Sequence, residues 1–429
     1  MATDNTALAY PEGYKPPTQQ DYDRRHHGTQ EVIKFTSQPP VPDGSNEPWT
    51  VCLFHSGTKE LLANLPGYPR PMLFPKKPAF RVADVPGKGK GLFSTRALSV
   101  GDAILTERPL LIWPRGLPLS FPKGFTHEQF VRLSLEENEK HLEVALERMR
   151  PEDSEAFREL ANCHKEDGSG PLMGIVRTNA LEVTGILPPG ANEERQAYGA
   201  TLRYISRLNH SCSPNTQPVF DKFSLSHQLF AVRDIEEGEE LTFQYTDVAV
   251  SAAERNKELK SYDFVCTCAS CTDAPASDAR RAAITGFTPT AFIWAVDRAL
   301  SDDWLLNKCR EQLALIEVEG LQHLKKNFDA IKAIMEVYIC LGDAENASKW
   351  AARVKKQIKW AKEGPDVSPL LDPTNISAYK AQPMWCMRVG DAPPGSVGKM
   401  FQEFAALAGR NGVKTLPGGS GFMLFPVGR

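Results

Sequence analysis

No apolar run in this 429-residue chain approaches the roughly 20 residues that span a bilayer, so no membrane-crossing helix is expected. Charge of one sign is lacking too. Lys and Arg number 50 against 53 Asp and Glu, a formal net charge of -3, with a pI near 6.3. A chain so balanced has no general attraction for a polyanion, and direct nucleic-acid binding is not expected. The start, Met1 to Asn5, runs into polar, proline-rich sequence, so no secretory leader is expected. Two common catalytic signatures are missing as well. The glycine run Gly87-Lys88-Gly89-Lys90-Gly91 has no Lys-Ser or Lys-Thr pair at Walker spacing, and a strand-like stretch follows where a phosphate loop needs a helix. No nucleophile elbow introduces a serine triad.

What remains is an ordinary globular composition, 41% hydrophobic and 24% charged, long enough to bury a large core in two or three domains. The distribution of the nine cysteines is less ordinary. Cys266, Cys268 and Cys271 fall within six residues, followed by the loop-like Thr272-Asp273-Ala274-Pro275. Such a segment is more readily held by a metal than by a core, and a closed zinc site takes four ligands. Cys212, in Asn209-His210-Ser211-Cys212, offers one further thiol upstream. Cys52, Cys163, Cys309, Cys340 and Cys386 read as core or surface thiols. Metal-spaced thiols without a leader suit a reducing compartment, the cytoplasm or the nucleus.

The texture divides the chain. Residues 1–77 are punctuated by proline and read as an extended extension, with two β-like runs, 32–35 and 49–54, that are candidates to pair. Residues 78–250 show strand, glycine turn and strand, interrupted at about 116–170 by a helical insert. In the insert, Phe130, Leu133, Leu142, Ala145, Leu146 and Met149 recur at helical spacing, and Pro151 opens a second helix. Residues 251–274 hold the cysteine triplet, 275–364 are helical, and 365–429 read as an irregular tail. Within the helical stretch, Ile331 to Leu341 form an apolar face. The Leu341-Gly342-Asp343 turn leads to Ala347, Ala351 and Val354, a small-residue spacing shared by tetratricopeptide units and ordinary bundles.

Taken singly, the chemistry-bearing residues are equivocal. Glycines 87, 89 and 91 suit either a hairpin turn or a close backbone approach to a ligand. Asn209-His210 suits a turn that organises backbone groups or an acid/base site. Tyr245 is by default a packed tyrosine.

Their order is informative. Gly89-Lys90-Gly91-Leu92, Asn209-His210-Ser211-Cys212-Ser213-Pro214-Asn215, Gly238-Glu239-Glu240-Leu241-Thr242 and Tyr245 together resemble a SET-domain protein methyltransferase. The cysteine triplet resembles the post-SET zinc motif. Glu254-Arg255-Asn256-Lys257-Glu258-Leu259, with Tyr262 and Phe264, resembles the SMYD-type branch. The resemblance covers residues 80–113 and 170–273, and more loosely 280–362. It implies an α+β chain: a SET β fold with a helical insert, a zinc-bound post-SET flap and a helical, tetratricopeptide-like C-terminal domain.

The resemblance also implies roles. Gly89, Lys90, Gly91, Asn179, Ser206, Asn209, His210 and Phe264 would hold S-adenosylmethionine. Tyr245 would stand beside the transferring methyl, and Tyr262 would wall the substrate channel. Cys212, Cys266, Cys268 and Cys271 would bind one structural zinc. The implied reaction is N-methylation of a lysine in a protein partner, histone or non-histone.

Two departures accompany the resemblance. Between Thr95 and Asn179 the chain offers only Cys163, His164, His127 and His141, too few for the two zinc sites of a MYND finger, so none is expected. Leu181 stands where the family often has an aromatic, which weakens the basis for Asn179. Two other readings compete with the enzyme: a catalytically silent scaffold that binds protein partners, and a SET-fold enzyme acting on a small metabolite.

Overall fold

The structure is a computed structural model and describes residues 33–40, 48–77, 79–118, 125–192, 196–360, 370–372 and 374–390. The chain divides into two compact units, one of residues 1–282 with 319–323, the other of 283–318 with 324–429.

Among the described residues the first unit is built on three sheets. The largest has five strands in the order β1 (Ile33–Gln38), β2 (Thr50–His55), β6 (Leu111–Pro114), β8 (Tyr198–Thr201) and β7 (Leu181–Val183). β1 and β2 pair antiparallel, Ile33 opposite His55, while β2 and β6 run parallel. Every residue of β2 is buried because both faces of the sheet are covered. Side chains alternate across a strand, and here Val51 and Leu53 enter one core while Cys52 and Phe54 enter another. Residues 33–77, read from sequence as an extension, thus contribute two strands and a helix, α1 (Thr58–Ala63), to the unit's interior. The prolines that made the stretch look irregular lie outside those elements.

One of the two cores is roofed by the helical insert. In α2 (His127–Glu147), Leu142, Ala145 and Leu146 sit on the buried stripe. They pack with Phe157 of α3 (Pro151–Arg158), Leu172 and Ile175 of α4 (Pro171–Asn179), and Leu111 and Trp113 of β6. A capping box fixes the start of α2: Thr126 accepts from the Gln129 N–H, and the Gln129 side chain accepts from the Thr126 N–H.

The second core draws on the other sheets. One holds β10 (Thr216–Asp221), β11 (Ser226–Ala231) and β5 (Ala103–Glu107); the other holds β3 (Phe80–Val85), β4 (Gly89–Ser94), β12 (Glu240–Phe243) and β9 (Asn209–His210). Leu92, Ile104, Ile205, Leu208, Leu229 and Leu241 meet there without solvent exposure, each side chain contributing about 1.5–3 kcal/mol by burial. β3 and β4 form a hairpin with Val85 opposite Gly89. Its loop requires left-handed backbone at Gly87 (φ 74°) and Gly89 (φ 73°), which glycine adopts without a Cβ penalty.

The second unit is helical. Helix Lys325–Cys340 buries Ile331, Ile334, Met335, Val337 and Ile339, and helix Ala344–Gln357 lays Ala347, Ala351 and Val354 on the buried side. Small residues on one partner let the two helices approach closely. Asp343 caps the second helix by accepting from the Asn346 N–H at 3.0 Å. The reading of an irregular tail from 365 is corrected for its described residues. Helix Ile376–Lys380 buries Tyr379, which joins Leu370 and Leu371 in the core, and Met387 enters the adjoining cluster. Glycines and prolines set that expectation, but a few well-spaced apolar side chains are enough to dock the segment.

Candidate active site

Three short pieces of backbone converge on a cleft of about 630 Å³ in the first unit. One is the β3–β4 loop. Another is β9, only two residues long, which pairs parallel to β12 with Asn209 opposite Thr242 and His210 opposite Phe243. The third is the segment from Tyr262 to Val265.

Asn215, six residues beyond Asn209, ties the segment that follows β9 to β12. Its carboxamide accepts from the Thr242 N–H at 2.8 Å and donates to the Glu240 carbonyl at 2.8 Å. The Ser211 N–H adds a bond to the Phe243 carbonyl at 3.0 Å. Asn209 then points its amide at the Glu240 carboxylate (2.8 Å) and the Lys90 carbonyl (3.4 Å), joining the strand pair to the glycine loop. A Cβ at Gly91 would lie 2.9 Å from Asn209 Nδ2 and 2.7 Å from Val85 Cγ2, so only glycine fits behind Asn209. This resolves the two sequence readings of the glycine run. Gly87 and Gly89 make the turn, and Gly91 permits a close approach, though to a neighbouring side chain and not to the cleft.

Gly89, Lys90, Asn179, Ser206, Asn209, His210, Tyr245, Tyr262 and Phe264 all line the cleft; Gly91 is not among its lining residues. Asn179 is less available than the sequence suggests. Its amide donates to the carbonyls of Ala161 (2.6 Å) and Ile175 (2.7 Å), so it ties α4 to the insert. Ser206 is similarly employed, accepting from the Leu202 N–H and donating to the Asn179 carbonyl, both at 2.9 Å.

Tyr245 lies two residues beyond β12, in a cluster of rings. Tyr262 is 4.7 Å away between centroids, Phe243 5.1 Å, His210 5.4 Å and Phe264 6.4 Å. Its hydroxyl donates to the Leu208 carbonyl at 2.7 Å. Burial pushes its phenol well above the ordinary range, so it stays protonated at neutral pH. With the proton committed to Leu208, any further polar group reaching this oxygen meets a lone pair.

His210 connects the ring cluster to the cysteines. Its Nδ1 accepts the Tyr245 backbone N–H at 3.1 Å, which leaves Nε2, 3.3 Å from Cys212 Sγ, to carry the proton. Burial pushes the imidazole down to about 4, so the neutral tautomer holds.

Cys212, Cys266, Cys268 and Cys271 place their sulfurs within 4.8 Å of one another, the only such cluster among the described residues. Cys212 is 3.8 Å from Cys266 and 3.7 Å from Cys271, and no disulfide links them. Hydrogen bonds from Cys212 and Cys266 hold Cys268 strongly toward thiolate, while the same contacts push Cys212 up. The donor set fits a metal: four thiols this close favour a shared cation over four protons, and four sulfur ligands match a closed tetrahedral zinc site.

The surroundings fit as well. Arg255 is fully buried and donates to the carbonyls of Val250 (2.6 Å) and Ser270 (3.2 Å), with Cys271 Sγ at 3.6 Å. The Asn256 side chain accepts the Cys266 N–H at 3.2 Å. Both residues project from helix Ala252–Leu259, whose start is a Ser251–Glu254 capping box. Arg281, 1% exposed, donates to the Cys212 carbonyl at 3.1 Å and to Glu319 at 2.8 Å. The Glu319 carbonyl accepts from Ser213 at 2.6 Å, and a Cβ at Gly320 would come within 2.6 Å of the Ser213 Cβ.

Sequence reasoning missed these supports. Arg255 and Asn256 lay inside a run that had been noticed only as a resemblance, although an arginine and an asparagine on one helix ahead of a cysteine triplet are a usable signal for thiolate support. Glu319 and Gly320 carried none.

Residues 89–246 match a family model described as the SET domain. Those residues of the chain form a SET domain. Histone-lysine N-methyltransferase set5 of Schizosaccharomyces pombe is 28% identical over 315 residues, covering 71% of this chain and 84% of that protein. Histone-lysine N-methyltransferase SMYD3 of Homo sapiens is 49% identical over 82 residues, 19% of each chain. The SET domain and MYND-type zinc finger protein 6 of S. pombe is 43% identical over 68 residues, 16% of this chain and 14% of the other. The chain therefore spans most of the first relative and under a fifth of the human one. The SET-type α+β fold expected from the motifs is the fold observed, and no described helix is long and apolar enough to cross a membrane.

Proposed function

We propose that this chain transfers a methyl group from S-adenosylmethionine to a lysine side chain of a protein substrate. The observation that carries the reading is the convergence of the glycine-loop backbone, Asn209-His210 and the Tyr245, Tyr262 and Phe264 rings on one cleft. S-adenosylmethionine, when bound, supplies a sulfonium methyl that an amine displaces in line. The chain's part is alignment and desolvation, since no covalent intermediate is needed.

Lys90, Asn209 and His210 offer backbone groups and an amide to the nucleoside end, and Phe264 offers a face for the adenine. The Tyr262 and Tyr245 rings make a low-dielectric wall that favours a lysine as its neutral amine, since desolvation disfavours the ammonium. The Tyr245 oxygen, its proton held by Leu208, accepts from the amine N–H or from polarised methyl hydrogens. Zinc, held by the four cysteines, takes no part in the reaction. Held there, it would fix the segment that carries Tyr262 and Phe264.

Substrate proteins include histones on the analogy of the relatives' names. The net charge of -3 gives this chain no preference for chromatin by itself.

The test uses labelled cofactor, a cell lysate and purified histones, with calorimetry of cofactor binding and product state by mass. The wild type is expected to bind one S-adenosylmethionine and to label lysine. Tyr245→Phe is expected to keep the fold and cofactor affinity while losing roughly ten- to a thousandfold in rate, about 1.4–4 kcal/mol. Cofactor binding with no protein labelled would favour the scaffold or metabolite reading, and no cofactor binding would end the proposal.

A further inference from the structure

Glu107, the last residue of β5, is a buried carboxylate that the reaction outlined above does not use. One oxygen accepts the Tyr204 N–H at 2.9 Å; the other accepts the Ile205 N–H at 3.0 Å and shares that of Tyr204 at 3.2 Å. Those two amides open the single turn Ile205–Arg207, which carries Ser206 and Arg207 into the cleft. The turn continues to Leu208, whose N–H returns to Ile205 at 3.1 Å and whose carbonyl receives the Tyr245 hydroxyl. An unbroken set of short bonds thus runs from Glu107 to the tyrosine.

We propose that Glu107 is a positioning residue for the methyl-transfer cleft, its ionised carboxylate fixing the turn that aims the Tyr245 oxygen. This rests on the methyl-transfer reading. Charge-assisted bonds are roughly twice as strong as neutral ones, so the hold depends on ionisation.

The groups around Glu107 are mixed. Arg203 precedes the turn, Arg108 is adjacent in sequence, Arg150 caps α3 and Asp153 lies within it, and His227 lies opposite on β11. Arg150 and Arg203 are each paired with Asp153, at 2.6 and 3.0 Å. Burial pushes the Glu107 carboxyl up to about 7, against the lowering effect of the backbone N–H bonds and of Arg203. A groove of about 460 Å³, lined in part by Glu107, gives solvent a route to it. The N–H bonds act in the lowering direction, so they are stronger to the carboxylate than to the acid, and the turn is held more firmly above pH 7 than below it.

Glu107→Gln keeps the shape and removes the charge. Turnover and S-adenosylmethionine affinity are compared between variant and wild type from pH 6 to 8.5, taking ratios so that titration of the substrates cancels. The expected result is a turnover deficit of about tenfold at pH 8 that closes toward pH 6. A folded variant whose ratio to wild type is flat with pH would overturn the proposal. Should the variant not fold, amide exchange of residues 203–208 in the wild type, corrected for intrinsic rates, decides: protection rising from pH 6 to 8 supports it, and unchanged protection refutes it. If the wild type binds no S-adenosylmethionine, the methyl-transfer reading falls, and the exchange measurement still shows whether Glu107 holds the turn.

Discussion

Around the four cysteines the large side chains withdrawn from water include Arg255, Arg281 and Glu319; in the helical unit they include Trp294, Tyr379, Phe328, Ile334 and Met335. Both interiors are close to dry, but they are not interchangeable. An apolar core gains by burial itself, in proportion to area. A buried ion pair such as Arg281–Glu319 has a desolvation cost that can exceed its attraction, so it is a weak stabiliser unless other bonds satisfy it. Here they do: Ser277 at 2.6 Å and Arg280 at 2.6 Å complete Glu319, and Ser270 and the Cys212 carbonyl complete Arg281. Such a network specifies position more than it adds stability, so a metal held by the four cysteines would be the main source of folding energy for its region.

The strongest test of that contrast removes one sulfur. Cys268→Ser is expected to lose the metal outright and to loosen the segment bearing Tyr262 and Phe264. Ligand loss forfeits binding energy that in zinc-finger peptides amounts to about 10–16 kcal/mol. Elemental analysis and cofactor calorimetry check it; a folded Cys268→Ser protein still holding about one zinc per chain would show that the cluster is not the site. The helical unit has apolar clusters of its own and should keep its own melting transition.

Ile334→Ala is the reciprocal experiment. Ile334 is fully buried, and truncating it should cost about 2–5 kcal/mol by transfer and cavity terms, with metal content unchanged. A drop in zinc alongside the melting shift would break the contrast by showing one cooperative whole.

How far the sequence anticipates this molecule follows the same division. The cysteine triplet and the helical stripes are local patterns, set by spacing over a few residues, and both were legible. The partnership of Arg281 with Glu319 spans 38 residues, that of Asn209 with Lys90 spans 119 and that of Glu107 with Ile205 spans 98. No periodicity reports such distances. β9 is too short to carry an alternation, and the Asn215 bonds to β12 that lie beside it are invisible to any local pattern. Asn179 and Ser206 were read by resemblance as cofactor contacts, yet their hydrogen bonds go to backbone; only coordinates reveal how a polar side chain spends its bonds.

Arg255→Met addresses the shell around the metal. Removing a guanidinium that donates to Cys271 Sγ and the Ser270 carbonyl should weaken zinc retention about 10- to 100-fold, the usual cost of losing an outer-shell partner. Competition with a chromophoric chelator reads this without reference to activity. Arg255→Lys should recover part of the loss, because one ammonium keeps the charge but not the forked geometry. Unchanged zinc affinity in Arg255→Met would make the arginine a packing residue.

The smallest expected effect compares sulfur with sulfur. Cys340 is fully buried in the helical core beside Ile334, Val337 and Cys309, and burial pushes its thiol up to about 12. It is a protonated, apolar group at any physiological pH, the opposite of the thiolate-prone Cys268. Cys340→Ala deletes one atom from a packed site, comparable to removing a methylene, and should cost about 0.5–1.5 kcal/mol with zinc content and cofactor affinity unaltered. Alkylation followed by mass analysis supplies the second arm. In the folded, metal-bound protein Cys340 should stay unmodified because it is neither exposed nor ionised, and after chelation the four clustered cysteines should react while Cys340 remains protected. If Cys340 became reactive on chelation alone, loss of the metal would be opening the helical core as well, and the two interiors would have to be treated as one folding unit.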